Sequence, residues 1–118
     1  MVDVPWASFY KNNMKCCSVD DCESKALNES DFDFVKICKA LGNETRVQIV
    51  RTIIDRGVCI CSDFVKSMPQ SQSTISQHLK VLKEADILLT VQDGPKSCMQ
   101  VNRNSLEAFK AYTQTFNL

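Results

Sequence analysis

The chain has 118 residues, enough for one domain with a core of its own and no need of cross-links. Its 44% hydrophobic and 24% charged residues are those of a globular protein, and no apolar run, Ile87-Leu88-Leu89 included, approaches the ~18 residues of a membrane span. The start, M-V-D-V-P-W, lacks the basic-then-apolar order of a secretory signal, so a cytoplasmic location without a membrane partner is expected.

The formal net charge is zero, but it is laid out unevenly. Residues 1–33 hold seven acids and three lysines, net −4, which leaves +4 on residues 34–118. There are seven cysteines: Cys16, Cys17, Cys22, Cys38, Cys59, Cys61 and Cys98. An odd count without a secretory signal argues against a disulfide framework. Ligation of a metal or metalloid, thiol redox chemistry, or simple burial remain.

Residues 1–28 show neither helical nor strand period and are rich in Asn, Asp, Ser and Lys, so they read as an irregular, flexible cysteine-bearing arm. The domain proper is expected over 29–118. Ser30 with Asp33 resembles a helix cap, and Phe34, Ile37, Cys38 and Leu41 recur at helical spacing. Gly42-Asn43 ends that helix and caps a second, with Val47, Val50, Ile53 and Ile54 as its apolar stripe and Gly57 as its stop. A short helix over 62–67 is closed by Pro69.

The strongest helical pattern is Q-S-Q-S-T-I-S-Q-H-L-K-V-L-K-E-A, capped by Ser71 or Ser73, with Ile75, Leu79, Leu82 and Ala85 inward. Two β-like runs, 87–91 and 97–101, flank the hairpin signal D-G-P-K. Asn104 with Glu107 caps a last helix, whose inner face is Leu106, Phe109, Tyr112 and Phe116. A short helix, tight turn, longer helix and hairpin make a winged helix-turn-helix, a fold mainly α with a small β-hairpin wing.

On that reading Gln72, Ser73, Thr74, Ser76 and Gln77 offer a polar face to base edges in the major groove. His78, Lys80 and Lys83 follow where phosphate contact is expected, and Lys96 beside Pro95 sits at the wing tip. Double-stranded DNA is the expected partner. A lone histidine such as His78 more often plays a structural or DNA-facing part than that of a metal ligand.

The stretch G-V-C-I-C-S-D-F places Cys59 and Cys61 where the chain leaves the second helix. If the segment is extended, both sulfurs share one side; if it is helical, they diverge by about 200°. Two thiolates alone rarely complete a soft ion's sphere. Three suit As(III) or Sb(III), and four the tetrahedral site of Cd(II) or Zn(II). M-K-C-C-S-V-D-D-C supplies Cys16, Cys17 and Cys22 as further candidates.

Three stretches together resemble the ArsR-type (arsenical-resistance) repressors, over roughly residues 34–116. They are L-G-N-E-T-R-V-Q-I-V (41–50), V-C-I-C-S-D-F (58–64) and S-Q-S-T-I-S-Q-H-L-K-V-L-K-E-A-D-I-L (71–88). The chain departs from the family pattern where Ser73 replaces a common proline and where Ser62 stands between Cys61 and Asp63. The resemblance implies a homodimeric repressor that leaves its operator when a toxic metal or metalloid binds. It further implies a site of Cys59 and Cys61 from one protomer, completed by Cys16, Cys17 or both from the arm of the other, with Cys22 as a further candidate.

Arsenite is the favoured inducer, with antimonite next and Cd(II) or Pb(II) as the alternative; no organic cofactor is expected. The last helix has no histidine, so the paired-ligand zinc site that some members carry there is not expected. Two other readings compete. The thiols could serve a redox or reactive-sulfur sensor on the same fold. An enzyme is disfavoured, because C-x-C is not the C-x-x-C redox motif and no βαβ pattern accompanies it.

Overall fold

The computed structural model describes residues 23–116. Five helices and three short strands follow one another as α1 (Glu29–Leu41), α2 (Glu44–Arg56), β1 (Val58–Ile60), α3 (Cys61–Ser67), α4 (Gln72–Glu84), β2 (Leu88–Asp93), β3 (Lys96–Val101) and α5 (Arg103–Thr113). The architecture is a winged helix-turn-helix, as the pattern of elements predicts. Among the described residues no helix is long and apolar enough to cross a membrane. Residues 23–28, before α1, are exposed and carry neither helix nor strand.

Helix ends follow capping chemistry, though not always at the expected residue. In α1 the cap is Asn28 rather than Ser30: its Oδ1 accepts from Asp31 N–H at 3.1 Å while Asp31 accepts from Asn28 N–H at 2.8 Å. The same two-way box forms two residues earlier than the Ser30/Asp33 pair would place it. Asn43 caps α2 by accepting from the N–H of Thr45 and Arg46. Gly57 ends that helix with φ 87°, a backbone conformation open mainly to glycine. For α5 the cap is Asn102, not Asn104.

The core lies between α2, α4 and the sheet. Ile49, Val50 and Ile53 of α2 meet Ile75, Leu79 and Leu82 of α4, with Phe64, Ile87 and Leu88 closing the sides. The expected α2 stripe is shifted in phase: Val50 and Ile53 are buried, but Val47 and Ile54 are exposed and Ile49 takes the inner position. All four residues expected inside α4, Ile75, Leu79, Leu82 and Ala85, are buried.

The sheet is antiparallel with strand order β1-β3-β2, so the second wing strand is central. Cys59 faces Met99, and Ile60 and Val91 face Cys98 from the two sides. Cys98, which on a two-stranded hairpin could face out on one side, is buried at 8% exposure with β1 and β2 on either side of its strand. The wing's feet are tied by a hydrogen bond from Asn102 N–H to Ile87 C=O at 2.8 Å.

At the far end of α1, Phe34 stacks on Tyr112 and Phe109 of α5, with ring centroids 4.3 and 5.2 Å apart. Tyr112 O–H donates to the Asp31 carboxylate. That bond, then the one from Asn28 N–H, lowers the Asp31 pKa, and the same bond raises that of Tyr112. Cys38, expected in the core or at a dimer interface, is exposed on the single chain.

Two outcomes follow from these contacts. Helix α4 ends in a Schellman turn: Ile87 N–H bonds Leu82 C=O and Asp86 N–H bonds Lys83 C=O, with Asp86 at φ 59°. A non-glycine residue there is strained, so Asp86→Gly should stabilise the fold by roughly 0.5–1 kcal/mol in urea unfolding, net of glycine's added flexibility. The Asp31 contribution has the opposite dependence on conditions. A carboxyl whose folded pKa is depressed adds stability above its unfolded pKa of about 3.9 and loses it as pH falls through the folded value. Asp31→Asn should therefore lower stability near neutrality and flatten its decline below about pH 4; equal slopes in both proteins would show the bond to be inert.

Candidate nucleic-acid interface and thiol site

Helix α3, the turn at 68–71 and α4 form the helix-turn-helix. Ser71 caps α4 with Oγ accepting from Thr74 N–H at 3.4 Å, and it also bonds the hydroxyls of Ser73 and Thr74 at 3.2 and 3.0 Å. Ser73, where the family commonly has proline, thus joins the cap. With Ile75, Leu79 and Leu82 turned inward, a helix of 3.6 residues per turn must present Ser73, Gln77 and Lys80 on the opposite side. Gln72, Thr74 and Ser76 flank them, and all six are exposed. They form a bare polar surface without acid until Glu84.

Lys83 is exposed near the C-terminal end of α4. Lys96 is exposed at the wing tip, in register with Asp93 across the turn. His78 is different: it is half-buried and its Nδ1 accepts from Arg46 Nε of α2 at 3.2 Å. Arg46 also donates through Nη1 to the C=O groups of Lys39 and Ala40 at 3.2 and 3.1 Å. Next to it, Thr45 Oγ1 accepts from Gln70 Nε2 at 3.1 Å, in the turn before α4. Sequence reasoning missed Thr45, Arg46 and Gln70. The only local hint was that both partners sit in the first turn of α2.

The two box cysteines fall on either side of a structural boundary. Cys59 is in β1 and 3% exposed, while Cys61 is the first residue of α3 and half-buried. Neither simple alternative, all extended or all helical, describes the segment. Both side chains pack on the same core. Cys59 lies on a strand whose backbone pairs into the wing sheet, and Cys61 starts the first helix of the helix-turn-helix. Among the described residues no group of three Cys, His, Asp or Glu side chains is placed to hold an ion. This pair fits part of a thiolate site and needs further ligands; Cys16, Cys17 and Cys22 lie outside the described residues.

Comparison with known proteins agrees with this geometry. A family model described as bacterial regulatory protein, arsR family, matches residues 43–90, from the cap of α2 into β2. The arsenical resistance operon repressor of Escherichia coli is 38% identical over 61 residues, 50% or so of either chain (51% of each as aligned). The chain thus spans about half the length of that relative. The Staphylococcus aureus protein of the same description is 31% identical over 71 residues, covering 60% of this chain and 67% of that one. A cadmium resistance regulatory protein CadC homolog, also from Staphylococcus aureus, is 30% identical over 77 residues, covering 64% and 63%.

Among solved structures, an ArsR-like transcriptional regulator from Rhodococcus matches with TM-score 0.69 at 20% identity, over 75% of this chain and 83% of that one. A homodimeric winged helix-turn-helix DNA-binding domain from Mycobacterium bovis matches with TM-score 0.60 at 15% identity, over 80% and 91%. These structures share the fold; the sequence matches carry the kinship. With the three-stranded wing, the Ser71-capped helix inside the family match and a relative covered over two thirds of its length, the chain belongs to the ArsR family of bacterial regulatory proteins, which are transcriptional regulators and not enzymes.

Proposed function

We propose that the protein is a homodimeric repressor that binds operator DNA and leaves it when arsenite binds a cysteine thiolate site. The observation that carries this reading is the position of Cys59 and Cys61 at the β1–α3 junction, one thiol on the wing sheet and one on the helix-turn-helix. The names of the relatives, arsenical resistance operon repressors, support arsenite as the inducer.

The DNA surface is the exposed row Gln72, Ser73, Thr74, Ser76 and Gln77, with Lys80 and Lys83 on phosphates and Lys96 at the wing. The dimer seam is the aromatic face of α1 and α5. Helix α5 buries none of its residues fully within one chain, Phe116, packed against Phe34 and Tyr112, remains 53% exposed, and Phe34, Phe109 and Tyr112 line a cleft of about 390 Å³. A second copy covers that face and sets the two α4 helices about one DNA turn, ~34–36 Å, apart.

Arsenite takes Cys59 and Cys61 together with Cys16 or Cys17, or Cys22, of the partner's arm. Drawing on Cys59 disturbs a core residue and the β1–β3 pairing together, so the wing and α3 shift with respect to each other and the DNA spacing is lost. Cadmium or lead at the same thiols is the second reading, supported by the similarity to the CadC homolog.

The test uses the full-length reduced protein and a duplex selected by it from a random pool. Arsenite should weaken binding roughly 5- to 150-fold, the usual span of allosteric coupling. Cys59→Ser/Cys61→Ser should bind the duplex but ignore arsenite. Alkylation of the seven thiols with and without arsenite, read by mass spectrometry, should show protection at Cys59, Cys61 and one or more of Cys16, Cys17 and Cys22. A response to cadmium alone would change the inducer; a double variant that still responds normally would remove the sensor reading.

A further inference from the structure

Arg46 stands where three helices meet. Its Nη1 grips the last carbonyls of α1, at Lys39 and Ala40, where a cation also suits the helix dipole. Its Nε holds α4 at its middle, through His78 Nδ1. Its own backbone is fixed by the Asn43 cap, and its neighbour Thr45 takes Gln70 at the entry to α4. The first turn of α2 thus fastens the recognition helix at two points and the seam helix at a third.

The bond to His78 has a protonation requirement. Nδ1 can accept from Arg46 only when it carries no hydrogen, so the ring must be neutral with its proton on Nε2. A protonated ring would point an N–H at the guanidinium. Besides Arg46 itself, the charged groups nearest this corner are Lys36 and Lys39 of α1 and Glu84 of α4, which share a cleft with Arg46.

We propose that Arg46 is a positioning residue that locks the recognition helix to α1 through neutral His78, so that protonating His78 weakens DNA binding. The inference rests on the DNA-binding reading above. It has a distinctive sign. A histidine that met phosphates as a cation would tighten binding on acidification, whereas a brace that needs the neutral ring loosens it, because the protonated fraction must shed its proton before the helix can seat.

His78 is the chain's single histidine, so its ring signals are unambiguous in NMR. In the free protein, long-range nitrogen–proton correlation should show the Nε2–H tautomer, and Arg46→Gln should shift the tautomer ratio and the titration midpoint. Affinity for the selected duplex should fall roughly 3- to 10-fold from pH 8 to pH 6, within what a hydrogen bond to a charged group supplies. In His78→Asn, whose Oδ1 occupies the place of Nδ1 and does not titrate, the loss of affinity between pH 8 and pH 6 should vanish, whatever the affinity at pH 8. Arg46→Gln should bind weakly at both pH values.

Affinity that rises on acidification in wild type but not in His78→Asn would overturn the proposal and make His78 a DNA-facing cation. An unchanged ring tautomer and midpoint in Arg46→Gln would overturn the brace. Absence of DNA binding by wild type at pH 8 would instead remove the DNA reading, and the ring signals would then decide the brace alone.

Discussion

The recognition helix must do two incompatible things: lean on the body firmly enough to have one orientation, and keep most of its surface bare. Its solution is a stripe one residue wide per turn, Ile75, Leu79 and Leu82, pressed on Ile49, Val50 and Ile53. Apolar packing of this kind is strong but non-directional. It fixes the helix against the core without fixing its rotation. The directional part comes from polar ties to α2, Gln70 just before the helix and His78 on its shoulder. Without that division of labour the outward row of Gln72, Ser73, Ser76 and Gln77 would have no defined aim.

The same logic explains which parts of the fold are legible in the sequence. Helix α4 is legible because its apolar period and its serine cap are both local. The caps of α1 and α5 are displaced by two residues because the local chemistry is degenerate: N-E-S-D-F-D and V-N-R-N-S each offer two usable cap positions. Distant contacts choose between them. Asp31 is selected at α1 by Tyr112, and Asn102 at α5 by its bond to Ile87 across the wing. The α2 stripe is out of phase for a related reason, since Ile49 and Val47 are equally apolar and only the sheet and α4 decide which is inside.

Strand β1 is the element least visible from sequence. Three residues carry no period, and V-C-I reads equally as an extended segment or the lead into a helix. Its pairing with β3 makes the sheet three-stranded and separates Cys59 from Cys61 by a change of backbone type. The C-x-C spacing was therefore visible, while its mechanical meaning was not. The contacts of Thr45 and Arg46 were invisible for another reason: their partners, Gln70 and His78, lie 25 and 32 residues away, and no local spacing pairs them.

The hydrogen bond between Asn102 and Ile87 closes the hairpin at its base. The wing is thus anchored below and free above: its ladder runs from the clamped Leu88–Val101 pair to the Asp93–Lys96 pair and a two-residue tip, Gly94-Pro95, while β1 holds β3 only up to Cys98. Length added beyond the Val91–Cys98 pair changes neither the spacing of the feet nor the packing beneath them. Reach along the DNA can thus be altered, between relatives or by design, as a modular trait independent of the core that carries it.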